Sequence, residues 1–107
     1  MSDEEKRREY EEVEFKDKEI PPVDFKNFIL GISQSVLIYL GLSPDPITGK
    51  ERKNLMLAKH TIDTIDMLRE KTKGNLSQEE EQFINSLITE LKLKFVEVYR
   101  REKQKEN

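Results

Sequence analysis

Three segments of the chain carry apolar residues that recur every three to four positions, and a charge-dense opening precedes them. In the segment 55–73, Leu55, Leu57, Ala58, Ile62, Ile65 and Leu68 fall on one side of a helix turned at 100° per residue, with Lys59, Asp63 and Glu70 elsewhere. Between 78 and 103, Phe83, Ile84, Leu87, Ile88, Leu91, Phe95, Val98 and Tyr99 gather on one broad face, leaving Leu93 and Val96 outside it. The segment 25–40 is different. Phe25, Phe28, Ile29, Ile32, Val36, Tyr39 and Leu40 make one stripe, yet Leu30 and Leu37 lie on a second side and Ile38 on a third. A helix that is apolar nearly all round belongs in an interior.

The ends of these segments carry helix punctuation. Pro21-Pro22 stops the opening arm, Asp24 is an N-cap before Phe25, and Gly41 suits a left-handed helix end. Pro44-Asp45-Pro46 and Thr48-Gly49 forbid continuation. Asn54 caps the next helix, which Lys71, Lys73 and Gly74 close. Ser77 with Glu80 three residues on is a capping box, and Glu79, Glu80 and Glu81 suit the positive end of the last helix. The short connector Gly74-Asn75-Leu76 makes the last two helices an antiparallel hairpin. The expected fold is all-α, a three-helix bundle of one helix and one hairpin, completed by dimerisation. Residues 1–23 are expected to be a charged, flexible, partly helical arm, 24–103 a single helical domain, and 104–107 a disordered tail.

The need for a partner follows from the first predicted helix, because a hairpin covers only one side of it. Gly31 and Ser35, small and four apart, would let another backbone approach beside Leu30, Leu37 and Ile38. Length adds to this: at 1.5 Å per residue the three helices measure about 24, 28 and 39 Å, so the last is expected to overhang, leaving Phe95, Val98 and Tyr99 in need of cover. A second copy is the first expectation for that cover, the chain's own arm the second, and a different protein the third.

Composition narrows the chemistry. A length of 107 residues suits one domain. The absence of Cys removes disulfides, thiolate zinc sites and a Cys nucleophile, and the single histidine, His60, removes histidine clusters. The formal charge of −3 is no footprint for nucleic acid, but it is split: Met1 to Asp24 holds ten acids and five bases, and the remainder 12 acids and 14 bases. The apolar run from Phe28 to Leu42 is too short and too interrupted for a membrane span, and the acid-rich opening does not resemble a secretory signal, so a cytoplasmic location is expected.

Four features could carry chemistry. His60 with Met56 and Met67 has the spacing of soft metal ligands, but one helix cannot enclose an ion, and a surface patch is the simpler reading. Asp63 and Asp66 could mimic paired carboxylates, although Lys59 to Asp63 has the spacing of an ion pair. The connector Gly41 to Lys53 is the best candidate for a binding loop, with Asp45, Thr48, Lys50, Arg52 and Lys53 able to meet an anionic partner, although prolines fixing a turn between two helices explain the same residues and that reading stands ahead. Lys92, Lys94, Arg100, Arg101, Lys103 and Lys105 beside Tyr99 could contact nucleic acid or an anionic surface, diluted by Glu97, Glu102 and Glu106. No phosphate loop, nucleophile elbow or acid–base constellation is legible, and neither an enzyme nor a cofactor is expected.

The ordered set Gly41-Leu42, Pro44-Asp45-Pro46, Thr48-Gly49, Asn54-Leu55, Ala58-Lys59, Thr61-Ile62-Asp63, Met67-Leu68 and Glu70 to Leu76 resembles the small bacterial proteins grouped as domain of unknown function 1844, over residues 25–99. The resemblance implies a short, helical, bacterial, cytoplasmic protein. It transfers no activity, and it gives His60 no role.

Overall fold

The computed structural model describes residues 1–16 and 20–106. Four helices follow in order: α1 (Asp3–Glu12), α2 (Phe25–Tyr39), α3 (Leu55–Lys71) and α4 (Gln78–Lys105). No strand occurs among the described residues.

The expected caps are in place. Asp24 accepts from the Asn27 amide at 2.8 Å, Asn54 from Leu57 at 3.0 Å, and Ser77 from Glu80 at 3.1 Å. The Glu80 carboxylate answers by accepting from the Ser77 amide at 2.8 Å, which completes the capping box. At the end of α2 the Leu42 amide donates to Leu37 O at 2.9 Å and the Gly41 amide to Ile38 O at 3.0 Å, with Gly41 at φ +76°. Those are the paired bonds of a left-handed C-cap. A Cβ at Gly41 would lie 2.7 Å from Lys53 Cε and 2.8 Å from Glu51 Oε1, flexible side-chain ends that can move aside, so it is the positive φ that favours glycine here. Helix α4 continues to Lys105, into the segment 104–107 expected to be a tail.

The arm forms a helix of its own. Ser2 caps α1 by accepting from Glu5 N at 3.1 Å, and Asp3, Glu4 and Glu5 favour its N-terminus. No residue of α1 is buried, and it touches none of the other helices. The radius of gyration, 18.2 Å, exceeds the roughly 13 Å of a compact chain of this length because α1 stands off the bundle.

Helices α2, α3 and α4 enclose one core: Ile29, Val36 and Leu40 meet Ala58, Ile62 and Ile65 and the α4 residues Ile84, Ile88, Leu91 and Val98. Polar ties set the register. Lys26 reaches Glu79 at 3.3 Å, so α2 starts beside the start of α4 and runs parallel to it. Arg69 to Asn85 at 3.2 Å, Asp66 to Lys92 at 3.0 Å and Lys53 to Glu102 at 2.6 Å lay α3 antiparallel along α4.

This register corrects the expected overhang. The turn after Thr72 lets α3 begin its contact with α4 near Asn85, so the hairpin stays paired up to Glu102. Val98 is therefore enclosed by its own chain at 4% exposure and belongs to no docking surface, and Phe95 packs against the same core. Tyr99 stays exposed, its ring stacked on Phe95 with centroids 6.1 Å apart.

Candidate interaction surface

Helix α2 is the most apolar of the four, and the bundle covers it unevenly. Leu37 packs on the core and Ile38 is half-buried, so two of the three off-stripe side chains are largely served by their own chain. The connector helps, since it returns close to the end of α2, where the Asn54 amide donates to Tyr39 O at 2.8 Å. Phe28 at 57% and Leu30 at 43% exposure remain open to water. Between them Gly31 is exposed, and a Cβ built there meets nothing within 4 Å. Ser35, one turn on, is half-buried. Sequence periodicity placed Phe28 in the buried stripe; its position 100° from the fully buried Ile29 was the signal that it sits at the stripe's edge.

The connector is stitched to itself. Asp45, only 5% exposed, accepts from Ile47 N at 2.8 Å, Thr48 N at 3.3 Å and Arg52 Nη1 at 2.9 Å. Its own amide donates to Lys50 O at 2.9 Å, and its carbonyl accepts from Gly49 N at 2.7 Å. The Arg52 hydrogen bond, then that from Ile47, holds the Asp45 carboxyl below the usual carboxylate range, and Asp45 in turn raises Arg52. The Thr48 hydroxyl accepts from the Lys50 amide at 3.3 Å. Lys53 grips Glu102 of α4, which raises the lysine and lowers the carboxyl. Of the five expected binding-loop residues, Asp45, Arg52 and Lys53 spend their charges inside the molecule, which makes the connector a clasp.

The remaining polar features resolve in a similar way. Asp63 pairs with Lys59 at 2.9 Å. Asp66 lies between Lys92 at 3.0 Å and Arg69 at 2.6 Å, and the Lys92 hydrogen bond leads in lowering its carboxyl. The two carboxylates of the suspected acid–base pair are thus each neutralised by their own cations. His60 and Met56 are exposed on the outer side of α3, and no group of three or more His, Asp or Glu gathers as a metal would need, among the described residues. A shallow cleft of about 320 Å³ opens at the α3–α4 turn between Arg69, Lys73, Leu76 and Glu81. On α4, Lys92, Lys94, Arg101 and Lys105 each pair with a carboxylate, while Lys103 lies 5.6 Å from the centre of the Tyr99 ring.

A three-helix bundle with its own capped arm, a clasped connector and an uneven apolar helix defines a small all-helical protein whose open features are surfaces. No helix among the described residues is long and apolar enough to cross a membrane. The family model described as Domain of unknown function (DUF1844) matches residues 22–97, and the chain belongs to that family. The match covers the bundle and leaves out α1 and the last turns of α4. Neither the curated proteins nor the solved structures give a match to this chain.

Proposed function

We propose that the protein is a self-associating interaction or regulatory module of the bacterial cytoplasm, a homodimer paired through the outer face of α2, and not an enzyme. One observation carries the reading: Phe28 and Leu30, 57% and 43% exposed, flank a Gly31 above which space is open. Large apolar side chains beside a bare backbone let another helix approach closely and bury them. An antiparallel α2 pair, its two-fold axis passing between Gly31 and Ser35, would set Gly31 of each copy against Ser35 of the other.

The alternative, binding of nucleic acid or an anionic surface through the basic end of α4, has less behind it. Four of that segment's six cations already face carboxylates.

Size-exclusion chromatography with light scattering tests the proposal. The wild type should run as a dimer at micromolar concentration and Phe28→Glu/Leu30→Glu as a folded monomer. Both positions are surface-exposed, whereas Leu37, packed on the core, would confuse association with folding. A wild type that is folded and monomeric throughout the range removes the reading.

A further inference from the structure

Resting on that self-association, we infer that the N-terminal arm is a strap that regulates it: Val13, Phe15 and Val23 fold back onto Phe28 and Leu30 of their own chain, and a second copy pairs there only when the strap is displaced.

The arm is rooted on that face. Asn27 and Gly31 both lie about 160° round α2 from the fully buried Ile29, with Phe28 and Leu30 about 100° round on either side. The Asn27 side-chain amide donates to Pro22 O at 3.1 Å and to Asp24 Oδ2 at 3.0 Å. Pro22 is therefore held against the water side of α2, on the line that leads to Gly31. The arm departs from the open face and not from the side packed on α3 and α4.

The root also carries an unmade contact. Asp24 is the N-cap, so Val23 and Phe28 hold the N′ and N4 positions of a hydrophobic staple, a pair that packs together where a chain turns into a helix. Both are exposed here, Val23 wholly so. Val13 and Phe15 are exposed as well, and α1 touches no other helix, so the structure holds the strap open. Closing the staple brings the arm down over α2. Phe15 lies seven residues before Pro22, a reach of at most about 25 Å, whereas Leu30 stands only about 5 Å along the axis from Asn27. The staple spacing is internal to one chain and selects the chain's own arm as the cover. The basic end of α4 is a weaker competitor for the arm, since four of its six cations already face carboxylates.

A tethered strap needs little affinity of its own to act, because its tether keeps it at a high local concentration. Both copies must open before they pair. A strap closed about three-quarters of the time raises the apparent dimer dissociation constant about sixteenfold, roughly fourfold for each copy.

The test is Val13→Ser/Phe15→Ser/Val23→Ser in the full chain, which leaves every charge of the arm in place and alters only exposed side chains. Unchanged far-UV circular dichroism checks the fold, and sedimentation equilibrium should show the variant dimerising about tenfold more tightly than wild type. Phe15→Trp, in a chain with no other tryptophan, reads the strap itself. At dilutions where the protein is monomeric its emission should lie to the blue of the same tryptophan in Phe28→Glu/Leu30→Glu, and it should move to the red as dimers form. A triple variant that dimerises no more tightly than wild type, or a tryptophan that emits alike in both backgrounds, overturns the strap and leaves self-association standing. A wild type and triple variant that are both monomeric at every concentration overturn the self-association, and the strap's control of it with it.

Discussion

Ile29 and Leu30 are neighbours on α2 with opposite surroundings: Ile29 is fully buried and Leu30 is 43% exposed. Truncating each to Ala removes three carbons. At Ile29 the lost transfer free energy is about 2.4 kcal/mol, at roughly 0.8 kcal/mol per carbon. A residual cavity of about 60 Å³ adds about 1.4 kcal/mol at 24 cal/mol per Å³, so Ile29→Ala should cost about 4 kcal/mol. At Leu30 a little over half of the side chain is covered and the gap opens to water, so the cost within one protomer should stay at or below about 1.4 kcal/mol. A domain of this size is stable by roughly 4–12 kcal/mol, which makes the first substitution a large fraction of the whole. Urea unfolding followed by circular dichroism, at protein concentrations low enough to favour the monomer, reads the difference. With a slope near 1.3 kcal/mol per molar, the Ile29→Ala midpoint should fall by about 3 M and that of Leu30→Ala by about 1 M or less. If Ile29→Ala leaves no folded baseline, Ile29→Val should cost about 1 kcal/mol and keep the comparison measurable. Equal costs at the two positions, or a larger one at Leu30, would refute the facing of α2 on which the proposed interface depends.

Two glycines should respond in opposite directions. Gly31→Ala, in mid-helix with open space above it, should stabilise the isolated protomer by about 0.5–1 kcal/mol and weaken self-association, whereas Gly41→Ala, at φ +76° and against Lys53 and Glu51, should destabilise by about 1–2 kcal/mol; thermal melts across a concentration series separate the effects, and a stabilising Gly41→Ala would contradict the C-cap. Acid should unfold the protein through Asp45, Asp66 and Glu102, whose carboxyls are lowered by their hydrogen bonds to Arg52, Lys92 and Lys53. Each folded-state value lies below the unfolded one, so the stability these groups contribute is present above about pH 4 and is lost as the pH falls further. The urea midpoint should therefore hold between pH 5 and 7 and drop towards pH 3, with a flatter profile in Asp45→Asn/Asp66→Asn/Glu102→Gln; a wild-type midpoint that rises towards pH 3 would show the sign to be wrong.

The three bundle helices and their capping residues were legible in the sequence because helix punctuation is local. Asp24, Asn54 and Ser77 each bond an amide three residues on, and Gly41 and Gly74 take the positive φ that favours glycine, whatever the rest of the chain does. The hairpin was legible for the same reason, since a connector as short as Gly74 to Leu76 leaves two helices little choice but to run antiparallel. The centres of the inner stripes of α3 and α4 followed from period: Ile62, Ile65, Ile84, Ile88 and Leu91 are buried where the 100° rule puts them, whereas Leu57 and Tyr99, counted in the same stripes, are exposed at their edges.

Register and cover were not legible, because both depend on contacts between residues far apart in the chain. Helix lengths suggested that Val98 hung beyond its neighbours; the ties Asp66–Lys92 and Lys53–Glu102 slide α3 along α4 and bury it. The proline-bounded loop read as open to an anionic partner, and only its folded form shows the Asp45 carboxylate turned inward on Arg52. Along α2 the period reveals how much apolar surface exists but not which part the rest of the chain reaches. Covering Leu37 and half of Ile38 while leaving Phe28 and Leu30 in water is settled by the path of the connector and the places of α3 and α4, which no local pattern encodes.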